Sequence, residues 1–246
     1  MKVSVILPTY NEADNIVPLI ETLRRLIQPP WQYEFVVVDD NSPDGTATVV
    51  QGLRQRHSSP RLFVEMRPGK LGLGSAYVYG LGWGLARGHD FLIQMDGDGS
   101  HDPGYLATML KLAEEVDFVV GSRYVPGGST SNWGLGRRLL SRFGSTYARL
   151  ALGVAISDFT GGFNGWRACV LHDIGLESTR SDGYSFQIEV KYRAHRLGYS
   201  HAEFPIRFCE RRGGKSKMSA SIALEACWRV WDLRLGRAST RGGSRR

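Results

Sequence analysis

Apolar, β-prone runs recur along the chain at residues 2–7, 34–38, 61–66, 91–95 and 117–120, with helix-like segments between the first four and after each. Near-continuous apolar runs of this length suit strands buried on both faces. Their alternation with helices predicts βαβ units around a mostly parallel sheet. Two boundaries carry chemical punctuation. Asp44 stands ahead of TATVVQGLRQ, and Asp102-Pro103 opens GYLATMLKLAEE; these read as a capping aspartate and a capping aspartate with proline at the first helical position. No internal repeat is visible. The expected class is α/β, a Rossmann-like sheet flanked by helices.

Two further segments show helical periodicity with a divided surface. In residues 133–152, Leu139, Phe143, Tyr147 and Leu150 make an apolar stripe, Arg138, Arg142 and Arg149 share another face, and Arg137, Ser141 and Ser145 form a third line. In residues 220–235 the stripe is Leu224, Trp228, Trp231 and Leu235. Either segment suits a helix lying in a lipid headgroup layer, or one closing the core with a solvated face. The expected organisation is a main domain over residues 1–219, an amphipathic helix over 220–236 and a disordered basic tail over 237–246.

Composition changes this picture in three ways. Of the 246 residues, 42% are hydrophobic and 22% charged, the balance of a chain with a substantial core rather than a disordered one. The formal net charge of +7 is concentrated: residues 201–246 hold 11 Lys and Arg against 4 Asp and Glu, while residues 1–200 are balanced. That tail suits an anionic partner, yet basic stretches interleaved with aromatics are lacking, so no nucleic-acid partner is expected. Three scattered cysteines imply neither a disulfide framework nor a zinc site. With no apolar run of membrane-spanning length and no signal-peptide pattern, a cytoplasmic protein is expected, with a place on a membrane surface left open.

Ligands in open α/β sheets collect outside the carboxyl ends of the strands, so polar residues there are the candidates. They are Pro8-Thr9-Tyr10-Asn11-Glu12, Asp39-Asp40, Asp96-Gly97-Asp98 and Gly121-Ser122-Arg123. Asp96 and Asp98 are hard oxygen donors that could hold Mg²⁺ or Mn²⁺ against a diphosphate, or could simply form a turn. An EF-hand is excluded, because Ala107 occupies the twelfth position from Asp96. Asp39 and Asp40 together would cost desolvation at a buried strand end unless paired, which favours a ligand role. In GKLGLGSAY, Tyr77 stands where a dinucleotide fingerprint wants Gly or Ala, and in CERRGGKSK, Cys209 replaces the glycine that a phosphate loop needs. That second segment still offers Arg211, Arg212, Lys215 and Lys217 as a loop that could close over phosphates. No Gly-x-Ser-x-Gly elbow or paired-histidine zinc motif is present.

Taken in order, PTYNE, DDNSPDGT, GKLGLGSAY, DGDGSHDP, GSRY, RRLLSR, DFTGGF, GYSFQIE and FCERRGGKSK resemble the dolichyl-phosphate (polyprenyl-phosphate) mannosyltransferases, family 2 glycosyltransferases of GT-A fold, over residues 3–220. The lack of transmembrane helices resembles the family's short forms, which implies peripheral association with the cytoplasmic face of a membrane and leaves room for a separate membrane-anchoring partner protein. The resemblance implies an inverting transfer of mannose from GDP-mannose to a polyprenyl (dolichyl) phosphate. It implies Pro8, Tyr10 and Glu12 in the nucleotide site, Val38 and Asp40 beside base and ribose, and Asp96, Gly97 and Asp98 at the diphosphate. Asp96, Asp98 and Ser100 would hold the metal. Arg123, Arg211 and Lys217 would contact donor phosphates or sugar, with Asp98 and Arg123 as catalytic residues, and Arg137 and Ser141 would meet the lipid phosphate. Two departures from the pattern stand out. Gly97 and Gly99 replace the more usual Ala and Leu, and the usual Ser-Gly-Phe-Arg becomes Gly161-Gly162-Phe163-Asn164, leaving Arg167 as a cation that could compensate. UDP-glucose or an amino-sugar donor, and a non-catalytic membrane-surface module, stay open as alternatives.

Overall fold

The computed structural model describes residues 1–26, 31–57, 61–179, 181, 183–209 and 228–235. All five expected strands form: β1 (Lys2–Thr9), β2 (Gln32–Asp39), β3 (Leu62–Met66), β4 (Phe91–Gln94) and β5 (Phe118–Ser122). Helices α1 (Ala13–Leu26), α2 (Thr46–Arg56), α3 (Leu73–Ala86) and α4 (Leu106–Leu112) follow the first four. Further along lie β6 (Ser129–Thr130), α5 (Leu135–Leu152), β7 (Asn164–Arg167), α6 (Ala168–Asp173), α7 (Gly183–Arg196), β8 (His201–Pro205) and β9 (Arg207–Phe208). A last helical run covers residues 228–234.

Strand order in the main sheet is β3-β2-β1-β4-β7-β5-β8, and β6 pairs with β9 in a small ribbon. Every pairing in the main sheet is parallel except those of β7, which runs antiparallel between β4 and β5. Side chains alternate between two cores, as a pleated strand covered on both faces requires. Val3, Val5 and Leu7 of β1 enter one core, covered by Ile16 and Ile20 of α1, Val50 of α2 and Leu110 of α4. Ile6 enters the other, with Tyr77 and Leu81 of α3, Ala148 of α5 and Phe186 of α7.

Sequence periodicity missed β7 and β8 for different reasons. The β7 sequence NGWR has no apolar run, and it fits because Gly165 leaves space for Phe91: a Cβ at Gly165 would lie 2.4 Å from that ring. In β8 the sequence HAEFP is half polar, as expected of a strand at the sheet edge.

Both punctuation signals operate, one of them on two helices at once. Asp102 accepts a bond from Gly104 N at 2.8 Å and caps the 3-10 turn that leads into α4. Asp44 accepts from Thr46 N at the start of α2 and from Ala13 N at the start of α1, both at 3.0 Å, while Gly45 takes the cap position itself with φ 81°. One carboxylate therefore joins two helix N-termini beside the carboxyl ends of β1 and β2.

Two glycines of α3 serve packing. A Cβ at Gly80 would meet Ile6 Cγ2 at 2.4 Å, and one at Gly84 would meet Leu92 Cδ2 at 2.6 Å, so α3 lies unusually close to β1 and β4. Gly82 has nothing within 4 Å of an added Cβ. Gly80→Ala should accordingly lose about 1–3 kcal/mol of stability through overpacking. Gly82→Ala should gain roughly 0.5–1 kcal/mol from helix propensity. Urea unfolding midpoints of the two variants, moving in opposite directions, check the close approach.

Candidate active site

A cavity of about 370 Å³ opens where the carboxyl ends of β1, β2, β4 and β5 meet the loops before β7 and α7. Pro8, Tyr10, Glu12, Asp40, Asp96, Gly97, Asp98, Arg123 and Arg137 all line it, so nine residues named from sequence converge on one space. Lys70 lies 4.2 Å from the ring centroid of Tyr10, placing a cation above that aromatic wall.

The acidic side is built on β4. Asp96 Oδ1 accepts from Tyr77 Oη at 2.6 Å, and its backbone N–H donates to His101 Nδ1 at 3.2 Å. Burial, with Asp96 beside it, pushes the Tyr77 phenol well above its ordinary pKa, so it remains a donor. His101 is buried between Phe163 and Phe208, at ring distances of 5.1 and 5.2 Å, and burial lowers its pKa. Asp98 Oδ1 accepts from Ser100 N at 3.0 Å, with Gly99 between them at φ 74°. Gly97 has no room for a side chain: a Cβ would lie 2.9 Å from Pro8 O.

These groups fit a divalent cation. Asp96 and Asp98 supply carboxylate oxygens, and Ser100 Oγ is buried without a hydrogen-bond partner among the described residues. Two carboxylates and a hydroxyl, with phosphate oxygens from a ligand completing the shell, form a hard-cation donor set. No group of three or more His, Cys, Asp or Glu side chains able to hold a metal occurs among the described residues.

The basic side is built on β5. Arg123 donates from Nε and Nη2 to the two oxygens of Asp158, both at 2.7 Å, and from Nη2 to Thr160 Oγ1 at 2.8 Å. Although burial disfavours its charge, the Asp158 carboxylate raises the Arg123 pKa above its already high value. Arg137 stacks 4.1 Å from the ring centroid of Trp133, on the far wall of the cavity.

Several sequence expectations need correction. Asp39 is fully buried and taken up by Thr9 Oγ1 at 2.8 Å, Ser42 Oγ at 2.6 Å and Ser42 N at 2.8 Å; it shapes the β2 loop and does not line the cavity. Asp40 does line it, but is already paired with Arg67 Nε at 2.5 Å and accepts from Leu71 N at 3.1 Å, which relieves the desolvation cost. The Val38 side chain is fully buried in the core and outside the cavity lining; a Cβ at Gly80 would lie 3.1 Å from it. Ser141, one turn beyond Arg137 on α5, is buried, accepts a hydrogen bond from Tyr124 Oη at 2.7 Å and does not line the cavity. Arg167 turns away to cap the end of α4, donating to Ala113 O at 2.7 Å and Val116 O at 3.1 Å. Arg211 and Lys217 lie outside the described residues, as do Leu224 and the tail.

The cation near the altered Gly161-Gly162-Phe163-Asn164 segment is Lys191 of α7. It is fully buried and donates to Asp158 O at 2.9 Å, Phe159 O at 3.2 Å and Gly161 O at 2.8 Å. Nothing in the sequence pattern announced it, since a lysine inside a helix ordinarily reads as surface. Trp133 and Gln187 line the cavity without having been expected there, and Tyr77, fully buried, reaches the site through its bond to Asp96.

With this geometry in place, comparison with known proteins decides the family. Residues 4–175 match the pattern described as Glycosyl transferase family 2. The chain belongs to that family. It is 43% identical over 235 residues to an undecaprenyl-phosphate mannosyltransferase of Micrococcus luteus, covering 95% of each chain. It is 45% identical over 233 residues to a polyprenol monophosphomannose synthase of Mycolicibacterium smegmatis, covering 94% of this chain and 86% of that one. Among solved structures, glucosyl-3-phosphoglycerate synthase from Mycobacterium tuberculosis, in complex with Mn²⁺, UDP and glucosyl-3-phosphoglycerate, is similar in fold. Its TM-score is 0.64 at 20% identity, over 98% of this chain and 81% of that one. As a family 2 glycosyltransferase the chain is an enzyme, and its mostly parallel sheet flanked by helices is the expected architecture. No described helix is long and apolar enough to cross a membrane.

The lysine of this glycosyltransferase carries a pH signature. Burial lowers its pKa to about 7, against the opposing pull of Asp158 and Glu203. The unfolded chain, with lysine at its ordinary value, therefore binds the extra proton between about pH 7 and the usual lysine range. Stability should rise with pH across that window. Chemical unfolding from pH 7 to 10 should show this rise in the parent protein and a flatter profile in Lys191→Met.

Proposed function

We propose that the protein transfers mannose from GDP-mannose to a polyprenyl phosphate at the cytoplasmic face of a membrane, with inversion at the anomeric carbon. The observation that carries this reading is that Asp96, Asp98, Arg123 and Arg137 all line one cavity. Such a cavity suits two phosphorylated substrates, and the names of the relatives from Micrococcus luteus and Mycolicibacterium smegmatis supply the sugar and the acceptor class.

Pro8, Tyr10, Glu12 and Asp40 form the nucleoside end in this reading, and Asp96, Gly97 and Asp98 the diphosphate end. A Mg²⁺ or Mn²⁺ ion held by Asp96, Asp98 and Ser100 would neutralise charge on the diphosphate as it leaves. The acceptor phosphate monoester is already ionised near neutral pH. Its oxygen needs orientation and charge balance more than proton removal. Arg137 would hold that phosphate in line with the anomeric carbon, and Arg123 would contact the donor phosphates or sugar. Arg211 and Lys217 are proposed to cover the donor phosphates, residues 1–219 to form the catalytic domain, and a membrane-anchoring partner protein to assist docking.

Helix α5 supports the membrane location. Its apolar stripe points outward, with Leu139 60%, Phe143 62% and Leu150 70% exposed, beside the exposed Arg138, Arg142 and Arg149. Ser141 and Ser145 face inward. Next to its end, Arg234 donates to Ala151 O, and the adjoining helical run leaves Trp228 68% exposed. Apolar and aromatic side chains flanked by arginine suit the boundary between acyl chains and anionic headgroups.

The deciding assay follows labelled sugar from GDP-mannose into a short polyprenyl phosphate with Mg²⁺, with Mn²⁺ and with chelator, UDP-glucose running in parallel. Metal-dependent mannolipid is expected, and Asp98→Ala should reduce it by about 10²-fold or more with an unchanged circular dichroism spectrum. Glucolipid in place of mannolipid would overturn the donor. For the membrane face, Leu139→Glu with Phe143→Glu should lower co-sedimentation with anionic vesicles several-fold, while transfer to a water-soluble short-chain acceptor persists.

A further inference from the structure

Beneath the cavity floor lies a chain of buried side-chain amides whose orientations are set by groups that can only donate or only accept. Gly161 O, an acceptor only, takes Lys191 Nζ at 2.8 Å and Asn164 Nδ2 at 3.0 Å. The Asn164 amide nitrogen must therefore point that way. The same Nδ2 reaches Gln187 Oε1 at 2.9 Å and Gln94 Oε1 at 3.3 Å. Gln94 Oε1 is fixed independently by Trp166 Nε1, a donor only, at 2.8 Å.

With Oε1 of Gln187 committed to Asn164, its Nε2 is left facing elsewhere. Gln187 lines the cavity, is 2% exposed, and its Nε2 has no hydrogen-bond partner among the described residues. A Cβ at Gly162 would lie 3.7 Å from both Gln187 Nε2 and Asp96 Oδ1, so the amide and the carboxylate border the gap that this glycine keeps open. A buried donor without a partner is costly unless a ligand satisfies it.

We propose that Gln187 donates a hydrogen bond to a hydroxyl oxygen of the donor sugar, and that Asn164 is the positioning residue that holds its amide in the donating orientation. The inference rests on the nucleotide-sugar reading of the cavity and adds to it the residue that reads the sugar. A hydroxyl suits the gap because it accepts from Gln187 and can donate towards Asp96 in one group. Asn164 matters because its amide both donates to Gly161 O and reaches Gln187, and Lys191 holds the same carbonyl from the other side.

The test compares the parent protein with Gln187→Met, which keeps the length and removes the donor, and with Asn164→Asp, which removes the donation that orients Gln187. Calorimetric titration measures GDP and the nucleotide sugar that the parent turns over, and steady-state rates are taken with that sugar and its monodeoxy analogues. Gln187→Met should weaken nucleotide-sugar binding about tenfold while GDP affinity stays within twofold. With one deoxy analogue, the one lacking the contacted hydroxyl, parent and variant should become equal. Asn164→Asp should move the same sugar-dependent readouts in the same direction. Equal loss for GDP and nucleotide sugar, or unchanged binding in Gln187→Met at an unchanged melting temperature, overturns the assignment by itself. A parent protein that binds no nucleotide sugar takes this inference down together with the reading beneath it.

Discussion

A carboxylate with no access to water, paired through both oxygens with a guanidinium and set in a loop whose backbone carbonyls a buried lysine holds, underlies the active site. Asp158, Arg123 and Lys191 are all buried, and the loop from Asp158 to Gly162 is tied to them through both side chains and backbone carbonyls. Glu203 of β8 adds a further tie, accepting from Ser157 N at 2.7 Å and Asp158 N at 3.0 Å. In a medium of low dielectric, any one of these charges without its partners is strongly unfavourable, so the loop has one well-defined position.

The same cluster explains why α5 is turned inside out relative to an ordinary surface helix. Ser145 Oγ lies 3.0 Å from Thr160 Oγ1 and 3.5 Å from Asp158 Oδ1, and Ser141 meets Tyr124. Only small hydroxyl side chains bring the helix close enough to reach these polar groups. Once its serine face is committed inward, the helical period sends Leu139 and Phe143 outward. An exposed apolar surface, which would be a liability on a protein surrounded only by water, is here the reverse side of a polar contact at the active site.

Much of this was legible in the sequence because it depends on local pattern. Five strands, the helices between them and the gathering of polar residues at strand ends follow from periodicity and from the geometry of parallel sheets. Asp96, Asp98, Arg123 and Arg137 were found in this way or through motif resemblance. What escaped depends on contacts between residues far apart in the chain. The partners of Asp39 and Asp40 could not be read from the acids themselves, since Ser42, Thr9 and Arg67 relieve a desolvation cost that otherwise pointed to a ligand. Lys191 looks like any helical lysine until three carbonyls are seen around it. Tyr77 entered the sequence argument as the residue that breaks a glycine fingerprint, yet its hydroxyl bonds Asp96.

The position of β7 in the sheet has a consequence for assembly. Strands β1 to β4 make one block, which carries Asp96 and Asp98, whereas β5 carries Arg123 next to β8. Among the described residues, the ladder between those blocks runs through β7, four residues whose flanks pair with β4 on one side and β5 on the other. Both neighbours precede β7 in the chain, so during synthesis the acidic and basic halves of the cavity exist as separate pieces until Asn164–Arg167 emerges and joins them. Binding of a doubly charged ligand is in this sense a property of the completed sheet, acquired at one seam.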